Sequence, residues 1–394
     1  MLNFEYCSPT YFVFGKDTET RAGELVDDFG GSKVLLHFGG ASAERSGLLD
    51  RVRDSLKAAD IEYVELGGVV PNPRLDLVQR GIEMCREEDI DFILAVGGGS
   101  VIDSAKAIAV GVPYDGDVWD FFDDKADAEE ALPVGTVLTL PATGSEASEA
   151  SVITNTAEGK KHGYSSELIK PVFSIMNPEL TYTLPPYQTA CGVVDMLAHI
   201  LERYLTNTEG VGLTDRLAEA TMKTIIDYAP VALVDPENYE ARANIMWAGT
   251  VAHNDSLGLD REQDWSSHAI EHELSALYDV AHGAGLAVVF PAFMKYTLNK
   301  HVNRYAQLAQ RVWNFDLNFS NPKETAIKGI AAFENFFRSI GMPTTFEELG
   351  AREDDIEYLA GHVRMKEDGK LGNFEPLDTE DIAEVYRLCL TKEQ

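Results

Sequence analysis

The sequence predicts an α/β domain built on a parallel sheet over residues 1–186, followed by an all-helical domain over residues 187–394. Three observations predict this. A chain of 394 residues exceeds one ordinary domain, at roughly 100–200 residues each. Up to Pro186, short apolar runs alternate with amphipathic helical stretches. Beyond Thr189 the apolar residues recur at spacings of three and four, and strand-like runs become few.

The first half reads in order as "KVLLHFG" (33–39), "YVELGG" (63–68), "DFILAVGGG" (91–99), "VGTVLTLP" (134–141) and "PVFSIMNP" (171–178). Each is a short run rich in Val, Ile, Leu or Phe that ends in Gly or Pro. Between several of them lie helical patterns such as "LLDRVRDSLKAAD" and "RLDLVQRGIEMCREED". Strands apolar on both faces, alternating with helices, form parallel sheets covered on both sides. Pro185 and Pro186 mark the boundary, since neither continues a helix and each restricts its predecessor. The second half reads as helices in "DMLAHILERYL", "TDRLAEATMKTIIDYA", "YEARANIMWAGTVAHN" and "VNRYAQLAQRVWNF".

Charge narrows the function. With 65 acidic against 33 basic residues the net charge is −32, a field that repels nucleic-acid phosphates and anionic membrane surfaces. No nucleic-acid partner is expected, and no apolar twenty-residue stretch predicts a membrane span. Four scattered cysteines without a CxxC read as reduced thiols. The start lacks the basic and apolar pattern of a signal peptide, so a cytoplasmic protein is expected.

Three loops follow predicted strands. Gly97-Gly98-Gly99-Ser100 joins a strand to a helix, where glycines admit an anion to free N–H groups at the helix start. Gly39, Gly40, Ala41 and Ser42 end an earlier strand without the acid that often binds a ribose 2′-OH, which leaves room for a 2′-phosphate. "LPATGSE" (140–146) supplies Thr143, Gly144 and Ser145 for phosphate or nicotinamide contacts.

The helical half carries histidines at telling intervals. Asp195 and His199 are four apart and share one helix face, as do His268 and His272. His282 would lie about 21 Å from His268 on an unbroken helix, so a turn between them is expected. Gly283 and Gly285 would let the next helix come close. Asp195, His199, His268 and His282 could then converge on Fe²⁺ or Zn²⁺ with room for a substrate oxygen. His272 reads as a pocket wall or proton relay beside the metal; His253 and His162 are left outside the ligand set.

These residues resemble the iron-containing, or group III, alcohol dehydrogenases, and especially their NADPH-dependent butanol dehydrogenase and aldehyde reductase branch. The likeness runs through "EYCSPTYFVFG", "FGGASAERSG", "GGGSVIDSAK", "LPATGSE", "NPELTYTLPP", "VVDMLAHILE" and "SSHAIEHELSALYDVAHGAGLAVVFP". It implies a Rossmann-like domain followed by a helical metal-binding domain, as in dehydroquinate synthase. It implies Asp195, His199, His268 and His282 as metal ligands. It implies Gly98, Gly99, Ser100, Asp103, Thr139 and Thr143 as cofactor contacts, and His272 beside the nicotinamide. The branch usually has a GGGS followed by a lysine; here Ala41 replaces a glycine and Glu44 stands where a base would help, with Arg45 or Lys161 available to compensate.

The expected reaction is hydride transfer between NADP(H) and a small primary alcohol or aldehyde such as butanol or butanal. The alternatives are an NAD-dependent polyol dehydrogenase of the glycerol type, a dehydroquinate-type relative and, from another class, a metal hydrolase without redox chemistry. A homodimer is expected, because Phe4, Tyr6, Tyr11, Phe12, Val13 and Phe14 read as a pair of short apolar strands with unpaired edges.

Overall fold

The computed structural model describes residues 1–390. The strands are β1 (Tyr11–Phe14), β2 (Lys33–Phe38), β3 (Glu62–Leu66), β4 (Phe92–Gly98), β5 (Val134–Leu140), β6 (Ala150–Asn155), β7 (Lys160–Ser165) and β8 (Phe173–Met176). Six of them form one sheet in the order β1-β8-β5-β4-β2-β3, and every neighbouring pair is parallel. β6 and β7 make a separate antiparallel hairpin.

Alternation along the strands divides the core. Leu35, Ile93 and Ala95 face Val78, Ile82, Ala105 and Ile108. Val34, Leu36, Phe92, Leu94 and Val96 face Leu25, Val26, Val52 and Leu56. The helices that supply these layers are α1 (Ala22–Asp28), α2 (Ser42–Arg45), α3 (Leu48–Ala58), α4 (Leu75–Glu87), α5 (Gly99–Gly111) and α6 (Trp119–Phe122). Burial on both faces explains why the strands read as continuous apolar runs.

The other compact unit is helical: α7 (Pro186–Tyr204), α8 (Gly212–Val234), α9 (Tyr239–His253, in part), α10 (Ser266–Tyr278), α11 (His282–Thr297), α12 (Val302–Trp313), α13 (Pro322–Ser339), α14 (Phe346–Leu349), α15 (Ile356–His362) and α16 (Thr379–Leu388).

Two segments depart from the expected division at 186/187. Met1–Tyr6 packs with the helical unit, and Pro236–Thr250 packs with the sheet unit. The physical reason for the second is visible in α9. Trp247 meets Phe12 and Phe14 edge-on at 5.4 and 6.1 Å, and the Thr250 hydroxyl donates to Glu146 at 2.6 Å. The expected pair of N-terminal strands is also corrected. Among the described residues only β1 forms there, and it joins β8 at the edge of the main sheet.

Candidate metal centre and nucleotide loops

α7 carries Asp195, His199 and Glu202 at i, i+4 and i+7, so all three share one buried face. The chain turns at Asp279–Ala281, between α10 and α11, and this brings His282 back to His268. Gly283 makes the return possible, since a Cβ there would lie 2.1 Å from the Cys191 carbonyl oxygen of α7. At Gly285 a Cβ would sit 2.4 Å from Glu271 Oε1.

Four side chains converge as a result. Asp195 Oδ1 lies 3.5 Å from His199 Nδ1, 3.9 Å from His268 Nε2 and 3.8 Å from His282 Nε2. These separations are too long for hydrogen bonds. They are close to the edge of about 3.3–3.6 Å expected between ligands held about 2.0–2.2 Å from one tetrahedral cation. Asp195 Oδ1, His199 Nδ1 and His268 Nε2 are buried polar atoms without a hydrogen-bond partner. Leaving three such atoms unpaired is costly unless a cation satisfies them together. Donor atoms of Asp195, His268 and His282 all lie within 4.8 Å of one another, and His199 adjoins them through Asp195. These residues fit a divalent metal.

The outer ring of the cluster was missed in sequence. Glu202 and Glu271 are fully buried and accept from His268 Nδ1 (2.9 Å) and His282 Nδ1. Arg203, also buried, donates to the His199 carbonyl and to His253 Nδ1, and lies over the Trp265 ring. The His253 ring lies tilted beside His199, centroids 4.2 Å apart, a neighbour of the convergent atoms and not one of them. Glu202 carried a readable signal, since it continues the Asp195–His199 face by one turn. Glu271 follows His268 by three residues in the same way. Arg203 and Trp265 had none, because their roles depend on contacts between distant segments.

Charge around the cluster is uneven. Burial pushes the His268 imidazole down, but Asp195 and Glu202 outweigh it and hold it raised to about 9. Burial holds His199 well below the ordinary imidazole value, aided by His253, His268 and Arg203. The cluster opens toward His282. Side-chain exposure is 3% at Asp195 and 21% at His282. His272 flanks that open side, its ring 5.5 Å from His282. Glu271, His272 and His282 also bring donor atoms within 4.8 Å of one another, but the Glu271 carboxylate is already engaged by His282 Nδ1 and the Ser275 hydroxyl.

In the sheet unit, β2 and β4 are neighbours although β3 lies between them in sequence. Strand order therefore reverses at β2/β4, where open α/β sheets bind ligands beyond the strand ends. Gly39 and Gly40 end β2, and Gly98 caps α5 at the end of β4. A Cβ at Gly99 would meet Thr143 Oγ1 at 2.2 Å, so glycine lets the 141–146 loop close over the start of α5. A Cβ at Gly40 would meet nothing within 4 Å, so this tip faces open space.

Gly98, Gly99, Ser100 and Thr143 are thus brought together, and Thr139 lies one residue from the end of β5. Asp103 lies on α5, under the 141–146 loop. It is buried and accepts from the Ser145 hydroxyl (2.6 Å) and the Val152 amide (3.1 Å), so it braces the loop from within. Lys161 is buried on β7, where its charge acts on Asp103. Ser42 starts the short helix α2, and Glu44 beyond it is gripped by both terminal nitrogens of Arg53 at 3.1 and 3.0 Å.

Comparison with known proteins covers both halves. Residues 9–178 match the family model of iron-containing alcohol dehydrogenase, and residues 189–390 match that of the C-terminal part of the Fe-containing alcohol dehydrogenase family. The chain is 45% identical to the probable NADH-dependent butanol dehydrogenase 2 of Bacillus subtilis (strain 168), over 99% of this chain and 100% of that one. It is 39% identical to the NADPH-dependent aldehyde reductase YqhD of Escherichia coli (strain K12), over 91% and 92%. The crystal structure of NADH-dependent butanol dehydrogenase A from Thermotoga maritima matches with a TM-score of 0.96 at 41% identity, over 99% of both chains. The chain belongs to the iron-containing alcohol dehydrogenase family, oxidoreductases that act on CH–OH groups with a divalent metal and a nicotinamide dinucleotide.

Proposed function

We propose that the chain interconverts small primary alcohols and aldehydes, of the butanol/butanal kind, with NADP(H) and one Fe²⁺ or Zn²⁺. The observation that carries this reading is the set of buried, otherwise unpartnered donor atoms on Asp195, His199 and His268, with His282 turned toward them. A cation held there supplies Lewis acidity toward an alcohol or carbonyl oxygen. The protein supplies the rest. Asp195, His199 and His268 close the site on its buried side, and the more exposed His282 marks where substrate enters. His272, on that side, is the group that moves a proton as substrate arrives and leaves. Gly39, Gly40, Ser42, Gly98, Gly99, Ser100, Thr139 and Thr143 form the dinucleotide surface; Asp103 shapes it from below, and Lys161 joins through Asp103.

Two facts bear on the choice of dinucleotide. No acid stands at the β2 tip, and Arg53 ties up the nearby Glu44, which supports NADP(H). Against this, relatives named as NADH-dependent appear beside the NADPH-dependent one. An NAD-dependent polyol dehydrogenase is the second reading. A homodimer is supported by the free edge of β1, where Tyr11 and Phe14 are 52% and 39% exposed; light scattering should give about twice 43.4 kDa. No described helix is long and apolar enough to cross a membrane, and the free thiols suit the cytoplasm.

Absorbance at 340 nm tests the function directly. Butanal should consume NADPH with a higher kcat/KM than NADH. A higher value with NADH overturns the cofactor choice. Turnover of glycerol but not butanol favours the polyol reading, and a flat signal with every alcohol and aldehyde leaves a hydrolase.

A further inference from the structure

Beyond the four converging side chains, the cluster has an asymmetry in what stands behind each imidazole. Glu202 Oε1 takes the His268 Nδ1 proton at 2.9 Å and the His268 amide at 2.9 Å, while Oε2 takes the Trp265 amide at 3.1 Å. It is therefore also the anion at the start of α10, where free N–H groups and the helix dipole favour negative charge. Trp265, whose amide makes that bond, holds a left-handed backbone, φ 69°. Glu271 takes the His282 Nδ1 proton and the Ser275 hydroxyl, and the absence of a side chain at Gly285 is what leaves it space. Among the described residues, no carboxylate stands behind His199 in this way. Its neighbours are the His253 ring and the Arg203 guanidinium, which donates to its carbonyl.

We propose that Glu202 and Glu271 are positioning residues: each fixes its imidazole as the Nδ1–H tautomer, so that Nε2 of His268 and Nε2 of His282 carry their lone pairs to the metal position. An imidazole that donates through one nitrogen must accept or ligate through the other, and an anionic acceptor makes it the stronger donor. Both Nε2 atoms do face Asp195 Oδ1. The consequence is a metal held unequally. His268 and His282 are locked and electron-rich; His199 lacks such a carboxylate and contributes less.

The proposal rests on the metal reading above, so its test separates the two. Cobalt(II) is titrated into metal-free wild type and into Glu271→Gln and Glu202→Gln, following the visible d–d absorption, with melting of each metal-free protein alongside. Gln keeps the shape and an acceptor oxygen but not the charge or the fixed tautomer. Wild type should bind one equivalent, and each variant should bind about 10–100-fold more weakly, with shifted bands. Glu271→Asp should recover part of the loss. His199→Asn should cost less affinity than either loss of His268 or His282. Variants that fold and bind cobalt as tightly as wild type, with unshifted bands, overturn the positioning role and leave the metal reading standing. Should Glu202→Gln fail to fold because it also caps α10, Glu271→Gln decides, since it caps no helix start. Wild type that binds no cobalt overturns the metal reading and the proposal with it.

Discussion

The helical unit and the sheet unit build their sites by opposite means. In the helical unit, side chains define the site, and backbone glycines only let the helices come close enough. Asp195, His199, His268 and His282 converge because Gly283 and Gly285 admit α11 against α7 and Glu271. In the sheet unit the candidate surface is made of backbone. Gly98, Gly99 and Gly40 offer surface, and side chains such as Asp103 support it from beneath. Close packing at glycine occurs in both units, while Gly40 has open space around its Cβ position. A Cβ at Gly283 or Gly99 would strike neighbouring atoms, so these glycines let elements pack closely, whereas a Cβ at Gly40 would meet nothing, so its backbone stays open.

His272 gives the largest difference between losing chemistry and losing metal. His272→Ala should keep full metal content but lose turnover by about 10²-fold or more. The loss should vary with pH near neutrality, as an imidazole titrates there. Metal analysis beside a pH–rate profile checks it; loss of metal would make His272 a ligand, and an unchanged profile would make it a bystander.

The two glycine classes can be set against each other. At Gly283 a Cβ falls 2.1 Å from a main-chain oxygen, which cannot move cheaply. Gly283→Ala should destabilise by about 1–3 kcal/mol and loosen the metal, seen by melting and metal analysis. At Gly40 a Cβ meets nothing. Gly40→Ala should melt within about 0.5 kcal/mol of wild type. It should nonetheless raise the cofactor KM by roughly tenfold, because the added methyl holds a phosphate off the backbone and weakens a charged hydrogen bond. Equal melting losses in both variants would erase the distinction.

A smaller effect lies in the sheet core. His37 is buried, bonded to the Leu66 carbonyl and the Ser104 hydroxyl, and burial lowers it from 6.5 to about 4. The unfolded chain takes up this proton below pH 6.5 and the folded chain does not. Its contribution is therefore complete above that value and is lost as pH falls toward the folded one, at about 1.4 kcal/mol per unit. His37→Gln should flatten the stability curve between those values; an unchanged slope contradicts it.

Much of this was legible in sequence because both signals are periodic. Strands β2 to β5 and β8 announce themselves as apolar runs ending in Gly or Pro, and the candidate metal cluster announces itself in part through Asp195 and His199, four apart. What was not legible was non-local or disguised. The β6–β7 hairpin has too little apolar character in "KKHGYS" to stand out, and α9 gives no local hint that most of it joins the sheet unit. Spacing puts Glu202 and Glu271 on the helix faces of the cluster, but nothing local marks them as buried. Only the neighbouring helices bury them, and only burial turns them into acceptors for imidazole. Arg53 gripping Glu44 is likewise invisible from the β2 loop alone.

The central claim is that Asp195, His199, His268 and His282 hold one divalent metal. Metal content per chain, measured by plasma emission on wild type and on His282→Ala purified side by side, tests it most directly. His282 is the most exposed of the four, and its removal leaves the buried core of the cluster intact. One iron or zinc per wild-type chain is predicted, with most of it gone from a folded, inactive His282→Ala. A variant that retains one metal per chain would contradict the account.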